Sequence, residues 1–217
     1  MTTEPSKLHD VLLLIKSHRA LFRKQFPNRV INNIYFDTPS LTSYRDHISG
    51  TPRREKKRIR WYGSPEDIIS NPVLERKIKI GMVGEKLIEP LTPLKVDMKG
   101  PWPIPGEALS EANSYQETVH WRLRALQPVV AIRFERYYFV SSDYKYRLTV
   151  DKNLEYFGMS SKGKPQIRSL LPSPLIIELK YDREFENEAS IISNDFPFRI
   201  DRFSKYVFAI EGLKANN

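Results

Sequence analysis

Charged and apolar residues alternate along several segments of this chain, and the alternation limits what those segments can form. Successive side chains of a β-strand point to opposite faces, so a period of two gives a strand one polar and one apolar side. Within residues 53–62, Arg58 and Arg60 share one side, whereas Ile59 and Trp61 share the other. The segment therefore predicts a strand with one strongly basic face.

The remaining segments predict a sheet accompanied by helices. Alternation or β-branched and aromatic composition predicts six strands, over residues 30–37, 53–62, 72–80, 129–140, 144–152 and 174–181. Helical spacing of apolar residues predicts helices over residues 7–22, 107–126, 183–194 and 202–211. Residues 91–106 hold four prolines and are predicted to be an extended loop. This order favours an α+β fold, an antiparallel sheet or barrel with helices packed outside it.

The polar faces of the predicted strands carry most of the positive charge of the chain. The 217 residues include 35 Lys and Arg against 26 Asp and Glu, a net charge of +9. On those faces, ten bases (positions 54, 56, 58, 60, 77, 79, 136, 145, 147 and 180) accompany three acids (positions 75, 151 and 178). Like charges on neighbouring strands repel by roughly 0.2–1 kcal/mol per pair, so a cluster this dense favours a bound anion. Arginine suits phosphate, because its planar group donates two hydrogen bonds at once.

Two other interpretations of the basic faces were weighed. They could be the wet sides of an antiparallel sheet, although a solvated face would mix lysine with glutamate more evenly. They could also bind nucleic acid, which would require aromatic side chains between the bases for stacking. The basic faces offer mainly Tyr62, so no nucleic acid is expected.

Several common kinds of site are excluded or disfavoured. The chain has no cysteine, which rules out disulfides, thiolate zinc sites and cysteine nucleophiles. The segment Gly81–Lys86 lacks the Walker A spacing, and the four histidines (positions 9, 18, 47 and 120) lack metal-ligand spacing. The longest apolar run near the N-terminus, Val11–Ile15, is far shorter than the roughly 20 residues of a spanning helix. We therefore expect a cytoplasmic protein without a transmembrane segment.

Seven short motifs occur in the order found in a known family. They are NIYFDTP (33–39), RIRWYG (58–63), ERK (75–77), RYYF (136–139), YRLTVD (146–151), IELKY (177–181), and FPFR (196–199) followed by FSKY (203–206). Each motif alone is weak, but together they span about residues 30–211 and resemble the VTC domain, the polyphosphate polymerase domain of the CYTH-like triphosphate tunnel group. The resemblance implies an antiparallel β-barrel, the triphosphate tunnel, whose lumen is lined by basic residues and whose helices pack outside.

The resemblance also assigns candidate site residues by position. Those that would bind substrate phosphate are Arg58, Arg60, Lys77, Lys86, Arg136, Arg147, Lys180, Arg202 and Lys205. The subset that would also take part in catalysis is Arg58, Arg60, Lys77, Arg136, Arg147 and Lys205. Glu178 would hold Mn²⁺ or Mg²⁺, which are hard cations that prefer oxygen ligands. Glu75 and Asp151 would be their neighbours in the lumen.

Two features differ from the family pattern. Members begin with a strand of alternating basic and acidic residues that supplies one tunnel lysine, whereas residues 1–6 here lead directly into the first helix. We therefore expect one VTC-type domain over residues 1–217 that lacks the first strand, unless the true start lies upstream. In addition, Glu89 stands where a second basic position would follow Lys86.

The resemblance implies a metal-dependent phosphotransferase that adds the γ-phosphoryl group of ATP to inorganic polyphosphate. Such a reaction depends mostly on positioning and charge neutralisation, which a cage of Arg and Lys supplies. Two alternatives remain open. One is a triphosphatase of the same fold, with water as the acceptor, and the other is a non-catalytic polyphosphate sensor, which the missing first strand favours.

Overall fold

The computed structural model describes residues 1–63, 68–81, 83–97, 104–105, 123, 125–159, 165–168 and 173–215. The chain divides into two compact units. The first unit contains Met1–Val30, Phe134–Leu154 and Leu171–Phe203, and the second contains Ile31–Arg133, Glu155–Leu170 and Ser204–Asn217. Each unit holds its own core and its own cluster of charged residues, and the two are described separately below.

Strands dominate the described residues. They are β1 (Thr2–Thr3), β2 (Arg23–Asp37), β3 (Arg53–Tyr62), β4 (Ile68–Ile69), β5 (Val73–Ile80), β6 (Val83–Pro90), β7 (Leu94–Asp97), β8 (Ile104–Pro105), β9 (Gln127–Val140), β10 (Tyr146–Met159), β11 (Pro165–Arg168) and β12 (Leu175–Tyr181). The α-helices among these residues are α1 (Leu8–Ser17), α2 (Thr42–Ile48), α3 (Glu186–Asn194) and α4 (Lys205–Ala215). Short 3₁₀ turns precede α1 at Pro5–Lys7 and α3 at Arg183–Phe185. Within the described part of the chain, no helix has the length and apolar character needed to cross a membrane.

The sheet topology confirms an antiparallel α+β fold but not a closed barrel. The strand order is β1-β12-β10-β9-β2-β3-β5-β6, with β11 paired to β10 beside that path. The ladders between β10 and β12 and between β3 and β5, for example, are antiparallel. The path is open at β1 and β6 among the described residues, so the prediction of a closed barrel is wrong for this part of the chain. Closure requires a ladder along both edge strands, and β1 has only two residues.

The core of the first unit lies between strands and helices of that unit. Leu148 and Val150 of β10 are buried at a spacing of two, as the alternation requires, and Ile177 of β12 packs in the same cluster. Val11 and Ile15 bury the matching side of α1 at a spacing of four. The apolar positions read from the sequence therefore form this core.

The core of the second unit lies on the apolar side of β2, β3 and β5. Ile34 and Phe36 of β2, Ile59 and Trp61 of β3 and Leu74 of β5 are buried together. The residues Ile59 and Trp61 are the pair predicted from the alternation to lie opposite the basic side of β3. Their burial leaves Arg58 and Arg60 on the other face.

Several predicted boundaries are wrong for local reasons. Helix α1 ends at Ser17 and not at residue 22, because the following His18 is extended and Leu21 has a positive φ of 48°. Strand β2 begins at Arg23, seven residues before the predicted start, and includes Pro27 in its exposed part. Helix α2 was not predicted. The predicted helix 107–126 lies mostly outside the described residues, and the predicted loop 91–106 contains β7 and β8.

A short strand also precedes the first helix. Thr2 and Thr3 pair antiparallel with Ile176 and Leu175 of β12. The prediction that residues 1–6 lead directly into the helix is therefore wrong. A ladder of two residues is too short to leave an alternation that the sequence could reveal.

Candidate functional site

Three cations converge on one buried carboxylate in the second unit. Glu75 of β5 is 2% exposed and lies opposite Arg58 of β3 in the strand register. Arg58 donates to Oε2 of Glu75 from Nε and Nη2, at 2.8 and 2.5 Å. Nη2 of Arg60 and Nζ of Lys86 lie 3.0 and 2.7 Å from Oε1 of Glu75. Three cations with one carboxylate leave this group, the Glu75 cluster, with an excess of positive charge.

The contacts within the Glu75 cluster favour the ionised forms of Glu75 and Arg58. Burial of Glu75 favours its neutral form, but Arg58, Lys86 and Arg60 outweigh burial and lower the pKa of the carboxyl below 4.5. Burial also opposes the charge of Arg58, yet Tyr35 and Glu75 raise its pKa. In addition, Nε of Arg60 is buried and has no hydrogen-bond partner within the described residues. The cluster therefore offers a donor as well as net positive charge.

Further bases lie on the same face of the second unit. Lys77 of β5 lies opposite Lys56 of β3 on one side and opposite Lys86 of β6 on the other. Lys77 is exposed, whereas Lys56 is partly buried. Burial, followed by repulsion from Lys77, Arg54 and Arg58, lowers the pKa of Lys56 to about 7. Burial and the positive charges around it thus both favour the neutral amine of Lys56.

A second cluster of opposite charges lies in the first unit. Arg136 of β9 donates to both carboxylate oxygens of Asp151, from Nε at 2.5 Å and from Nη2 at 2.7 Å. Nη2 of Arg136 is also 4.0 Å from Oε2 of Glu178, and Nζ of Lys180 is 3.3 Å from that same oxygen. Burial opposes the charge of Arg136, but Asp151 and Glu178 together raise its pKa. Asp151 is buried and committed to Arg136, whereas Glu178 keeps 43% of its side chain exposed.

The other predicted site residues are more dispersed. Arg147 lies opposite Lys180 in the register of β10 with β12, is 53% exposed, and approaches Asp182 at 3.5 Å. Arg202 is exposed and precedes α4, which begins at Lys205. The prediction that Arg202 lies on the final helix is therefore wrong. Lys205 is the first residue of that helix and is partly buried.

Two aromatic residues that help to orient Arg58 in the Glu75 cluster were not predicted from the sequence. The hydroxyl of Tyr35 accepts a hydrogen bond from Nη1 of Arg58 at 2.9 Å. The ring of Tyr35 stacks on Tyr206 of α4, with centroids 5.1 Å apart. The alternation in the sequence placed Tyr35 on the polar side of β2. It could not predict the contact between Tyr35 and Tyr206, because the two residues are distant along the chain.

The donors of the structure limit what kind of metal ion could bind. No three histidine or carboxylate side chains group into a metal site within the described ranges. Glu178 offers one partly exposed carboxylate, and Mg²⁺ is commonly held by one or two carboxylates together with substrate phosphates and water. These side chains therefore suit a metal ion that takes most of its ligands from a bound phosphate. Within the described residues, they do not form a site in which the protein supplies every ligand.

Comparison with known sequences identifies the family. The profile of the VTC domain matches residues 4–214, nearly the whole chain. The chain belongs to the VTC-domain family. This membership confirms the resemblance carried by the seven motifs. No curated protein matches the sequence of this VTC-domain protein.

Two solved structures are similar to the VTC-domain protein at low sequence identity. The PH1819 protein from Pyrococcus horikoshii OT3 is 12% identical and has a TM-score of 0.50, with 94% of this chain and 93% of that chain covered. A "putative adenylate cyclase" from Vibrio parahaemolyticus is 9% identical and has a TM-score of 0.49, with 96% and 95% covered. The likeness to the first of these concerns the fold alone.

Proposed function

We propose that this VTC-domain protein is a metal-dependent polyphosphate polymerase that transfers the γ-phosphoryl group of ATP to the end of an inorganic polyphosphate chain. Membership of the family supports a phosphate substrate. The observation that carries the proposal is the Glu75 cluster, in which Arg58, Arg60 and Lys86 share a single buried carboxylate. Such an excess of fixed cations is suited to a polyanion.

The Glu75 cluster would bind phosphate oxygens with little rearrangement. Glu75 and Tyr35 already hold the guanidinium of Arg58 in one orientation. Little conformational entropy is therefore lost at this side chain when phosphate binds. Glu75 neutralises only one of its three cations, and phosphate oxygens would neutralise the others. Exposed Lys77 extends the same face toward further phosphate units.

The proposed reaction needs cations more than it needs a base. A terminal phosphate oxygen of the polyphosphate forms a new bond to the γ-phosphorus of ATP. The bond from that phosphorus to the β,γ-bridging oxygen breaks, and ADP leaves with the electron pair. Because the attacking oxygen is already an anion, no proton has to be removed from it. Cations that neutralise the developing charge supply most of the acceleration.

The state of the carboxylates supports phosphate as the acceptor in preference to water. A water nucleophile benefits from a general base whose pKa lies near the working pH. The pKa of Glu75 is lowered, and Asp151 is held by two hydrogen bonds from Arg136. Both carboxylates are therefore engaged by neighbouring cations, which supports phosphate over water as the acceptor.

Mn²⁺ or Mg²⁺ would supply additional neutralisation of phosphate charge when bound. Glu178 would hold the ion through its exposed carboxylate. Nζ of Lys180 and Nη2 of Arg136 lie beside that carboxylate and favour its ionised form. These two bases also remain available to phosphate oxygens bound near Glu178.

A non-catalytic polyphosphate-binding module is the second candidate. The candidate metal position offers a single carboxylate, and no group of three metal ligands lies within the described residues. This observation favours a module that binds phosphate without metal-dependent turnover. Such a module would use the same basic clusters without turnover. It would bind polyphosphate whether or not a divalent metal is present.

Incubation with ATP labelled on the γ-phosphate, with Mn²⁺ or Mg²⁺ and a short polyphosphate primer, tests the proposal. Labelled long polyphosphate is expected from the wild-type protein. Arg58→Ala is expected to abolish it, and Glu178→Ala is expected to keep the fold but lose metal-dependent turnover. Arg53→Ala, an exposed arginine on the opposite side of β3, serves as the matched control and should retain activity.

The possible results separate the candidates. Labelled orthophosphate as the sole product would replace the polymerase with a triphosphatase. Metal-independent binding of polyphosphate without any turnover would establish the binding module. A folded protein that neither binds nor extends polyphosphate would overturn the proposal.

A further inference from the structure

Lys56 is a partly buried cation of the second unit with no acidic partner. Its Nζ donates to Oγ of Ser204 at 2.7 Å and lies 3.1 Å from Nε2 of His47. The ring of Tyr206 lies 5.8 Å from the same nitrogen. No carboxylate of the described residues pairs with Lys56, and the charged groups that lower its pKa, Lys77, Arg54 and Arg58, are all basic. Its contacts therefore satisfy hydrogen bonding but leave its charge uncompensated.

The charged groups that face Lys56 come from two strands. Arg54 and Arg58 lie on the same side of β3, two positions before and after Lys56, and Lys77 lies directly opposite on β5. Burial opposes the ammonium form first, and these three cations add repulsion, which together lower the pKa of Lys56 to about 7. Lys86 contacts Glu75, whereas no carboxylate of the described residues pairs with Lys56.

The two helical side chains that contact Lys56, His47 and Tyr206, are neutral. Burial and repulsion from Lys56, Arg54, Lys77 and Lys79 lower the pKa of His47 on α2 to about 4. His47 is therefore neutral at physiological pH, and its Nε2 can accept a hydrogen bond from Lys56.

The group that α4 presents is also uncharged. Burial, together with a hydrogen bond to Asp37, raises the pKa of Tyr206, so its hydroxyl stays protonated. The negative charge of Asp37 is directed to that hydroxyl and to backbone N–H groups. It is therefore already used by donors other than Lys56.

We propose that Lys56 is a proton-linked phosphate ligand: when polyphosphate binds to the basic face of β3, Nζ of Lys56 takes up one proton from solvent and pairs with a phosphate oxygen. This inference rests on the proposed phosphate-binding function of that face. It adds Lys56 to the residues that contact substrate. It also makes binding sensitive to pH near neutrality.

The coupling follows from the burial of Lys56 and the charges around it. A phosphate oxygen supplies the opposite charge that the free protein lacks beside Lys56, and an adjacent opposite charge favours the ammonium form. Binding should therefore weaken as the pH rises above about 7, by at most about tenfold per pH unit for one linked proton. Arg54 and Arg58 cannot produce this effect, since guanidinium groups stay charged throughout that range.

Titration calorimetry with long-chain polyphosphate tests the inference. Binding is measured without divalent metal at about pH 8, in two buffers whose ionisation enthalpies differ, so that the difference in heat counts the protons taken up. The internal phosphates of a long chain stay ionised in this range and add little to the count. The wild-type protein is expected to take up close to one proton per site more than Lys56→Arg. The guanidinium of Lys56→Arg is already charged in the free protein and therefore takes up no proton when polyphosphate binds.

A matched variant controls for the substitution itself. Lys57→Arg changes the neighbouring lysine, which lies on the other side of β3 and 3.9 Å from Glu55. It should take up protons as the wild-type protein does. If Lys56→Arg fails to fold by circular dichroism, Lys56→Gln replaces it, and its affinity should lose the decline between about pH 7 and 9.

The results separate failure of the inference from failure of the proposed function. Proton uptake that is present in the wild-type protein and Lys57→Arg but absent from Lys56→Arg would establish the role of Lys56. Equal uptake by all three proteins would overturn that role while leaving polyphosphate binding intact. Absence of binding by the folded wild-type protein would overturn the proposed function and the inference with it.

Discussion

The hydroxyl of Tyr206 donates a 2.5 Å hydrogen bond to Oδ2 of Asp37, which attaches the start of α4 to the end of β2 within the second unit. Asp37 is fully buried and also accepts hydrogen bonds from the backbone N–H groups of Thr38, Ser43 and Tyr44. One carboxylate thereby joins β2, α2 and α4. Four donors compensate for its burial.

This attachment extends to the Glu75 cluster. The ring of Tyr206 stacks on Tyr35, whose hydroxyl accepts a hydrogen bond from Arg58. The orientation of Arg58 is therefore set by Glu75 on one side and by an aromatic pair on the other. A substitution at Asp37 or Tyr206 should therefore alter the orientation of Arg58 on the basic face of β3, through the contact with Tyr35.

Tyr206→Phe is expected to lower the free energy of unfolding by about 1–3 kcal/mol, because a buried carboxylate loses one of its donors. Urea denaturation followed by circular dichroism measures the change. Tyr144→Phe removes a hydroxyl from an exposed ring and should leave stability within about 0.5 kcal/mol. Equal stability of the two variants would show that the hydrogen bond to Asp37 contributes nothing net.

Glu75→Gln is expected to remove part of the acid sensitivity of the protein. The pKa of Glu75 is lower in the folded state than the ordinary value of 4.5, so its ionised form stabilises the fold above that pH. This contribution is lost as the pH falls through the folded-state pKa. Thermal unfolding between about pH 3 and 7 should therefore vary less with pH in Glu75→Gln than in the wild-type protein.

The same variant is also expected to be less stable at pH 7, by about 3 kcal/mol, since three cations lose their shared partner. Bound tripolyphosphate should restore more stability to it than to the wild-type protein. Glu85→Gln, an exposed change on β6, is the control and should keep the wild-type pH profile. A profile of Glu75→Gln that overlays the wild-type profile would contradict the role assigned to this carboxylate.

Arg136→Ala and Arg147→Ala should affect stability very differently although both were predicted to bind phosphate. Removal of Arg136 leaves the fully buried Asp151 without its two hydrogen bonds and should cost about 3–5 kcal/mol. Arg147 is largely exposed and 3.5 Å from an exposed Asp182, so its removal should cost less than about 1 kcal/mol.

Urea denaturation measures this contrast, and the thermal shift produced by tripolyphosphate measures ligand binding in parallel. Arg147→Ala is expected to unfold like the wild-type protein but to show a smaller shift with tripolyphosphate. A wild-type shift in that variant would remove Arg147 from the phosphate-binding residues.

Gly212→Ala should destabilise the second unit through a clash with one aromatic ring. A Cβ at Gly212 of α4 would overlap the hydroxyl of Tyr156 on β10 and lie 2.8 Å from Cζ of that ring. Overpacking of this kind costs about 1–3 kcal/mol. The double variant Gly212→Ala with Tyr156→Phe should recover part of the loss in a thermal unfolding assay. A single variant as stable as the wild-type protein would show that α4 shifts freely at this point.

Local patterns predicted the faces of the strands but not the edges of the sheet. The alternation around Arg58 and Ile59 correctly separated the basic side of β3 from the buried side. The closed barrel was implied by the resemblance, whereas the edges of the sheet depend on strands such as β1, which shows no pattern in the sequence. Helix α2 was overlooked because its seven residues lack a buried apolar stripe and depend on Asp37 for their first turn.

By itself, the sequence determined which residues are basic, on which side of each strand they lie, and to which family the chain belongs. These are properties of the local backbone period and of the order of motifs. Only the tertiary structure decided which partner each base meets. Arg58 meets Glu75 at a separation of 17 residues, and Lys56 meets Ser204 at a separation of 148. Such contacts depend on strand register and helix packing, which no local period specifies, and they leave Lys56 without the acid that Arg58 has.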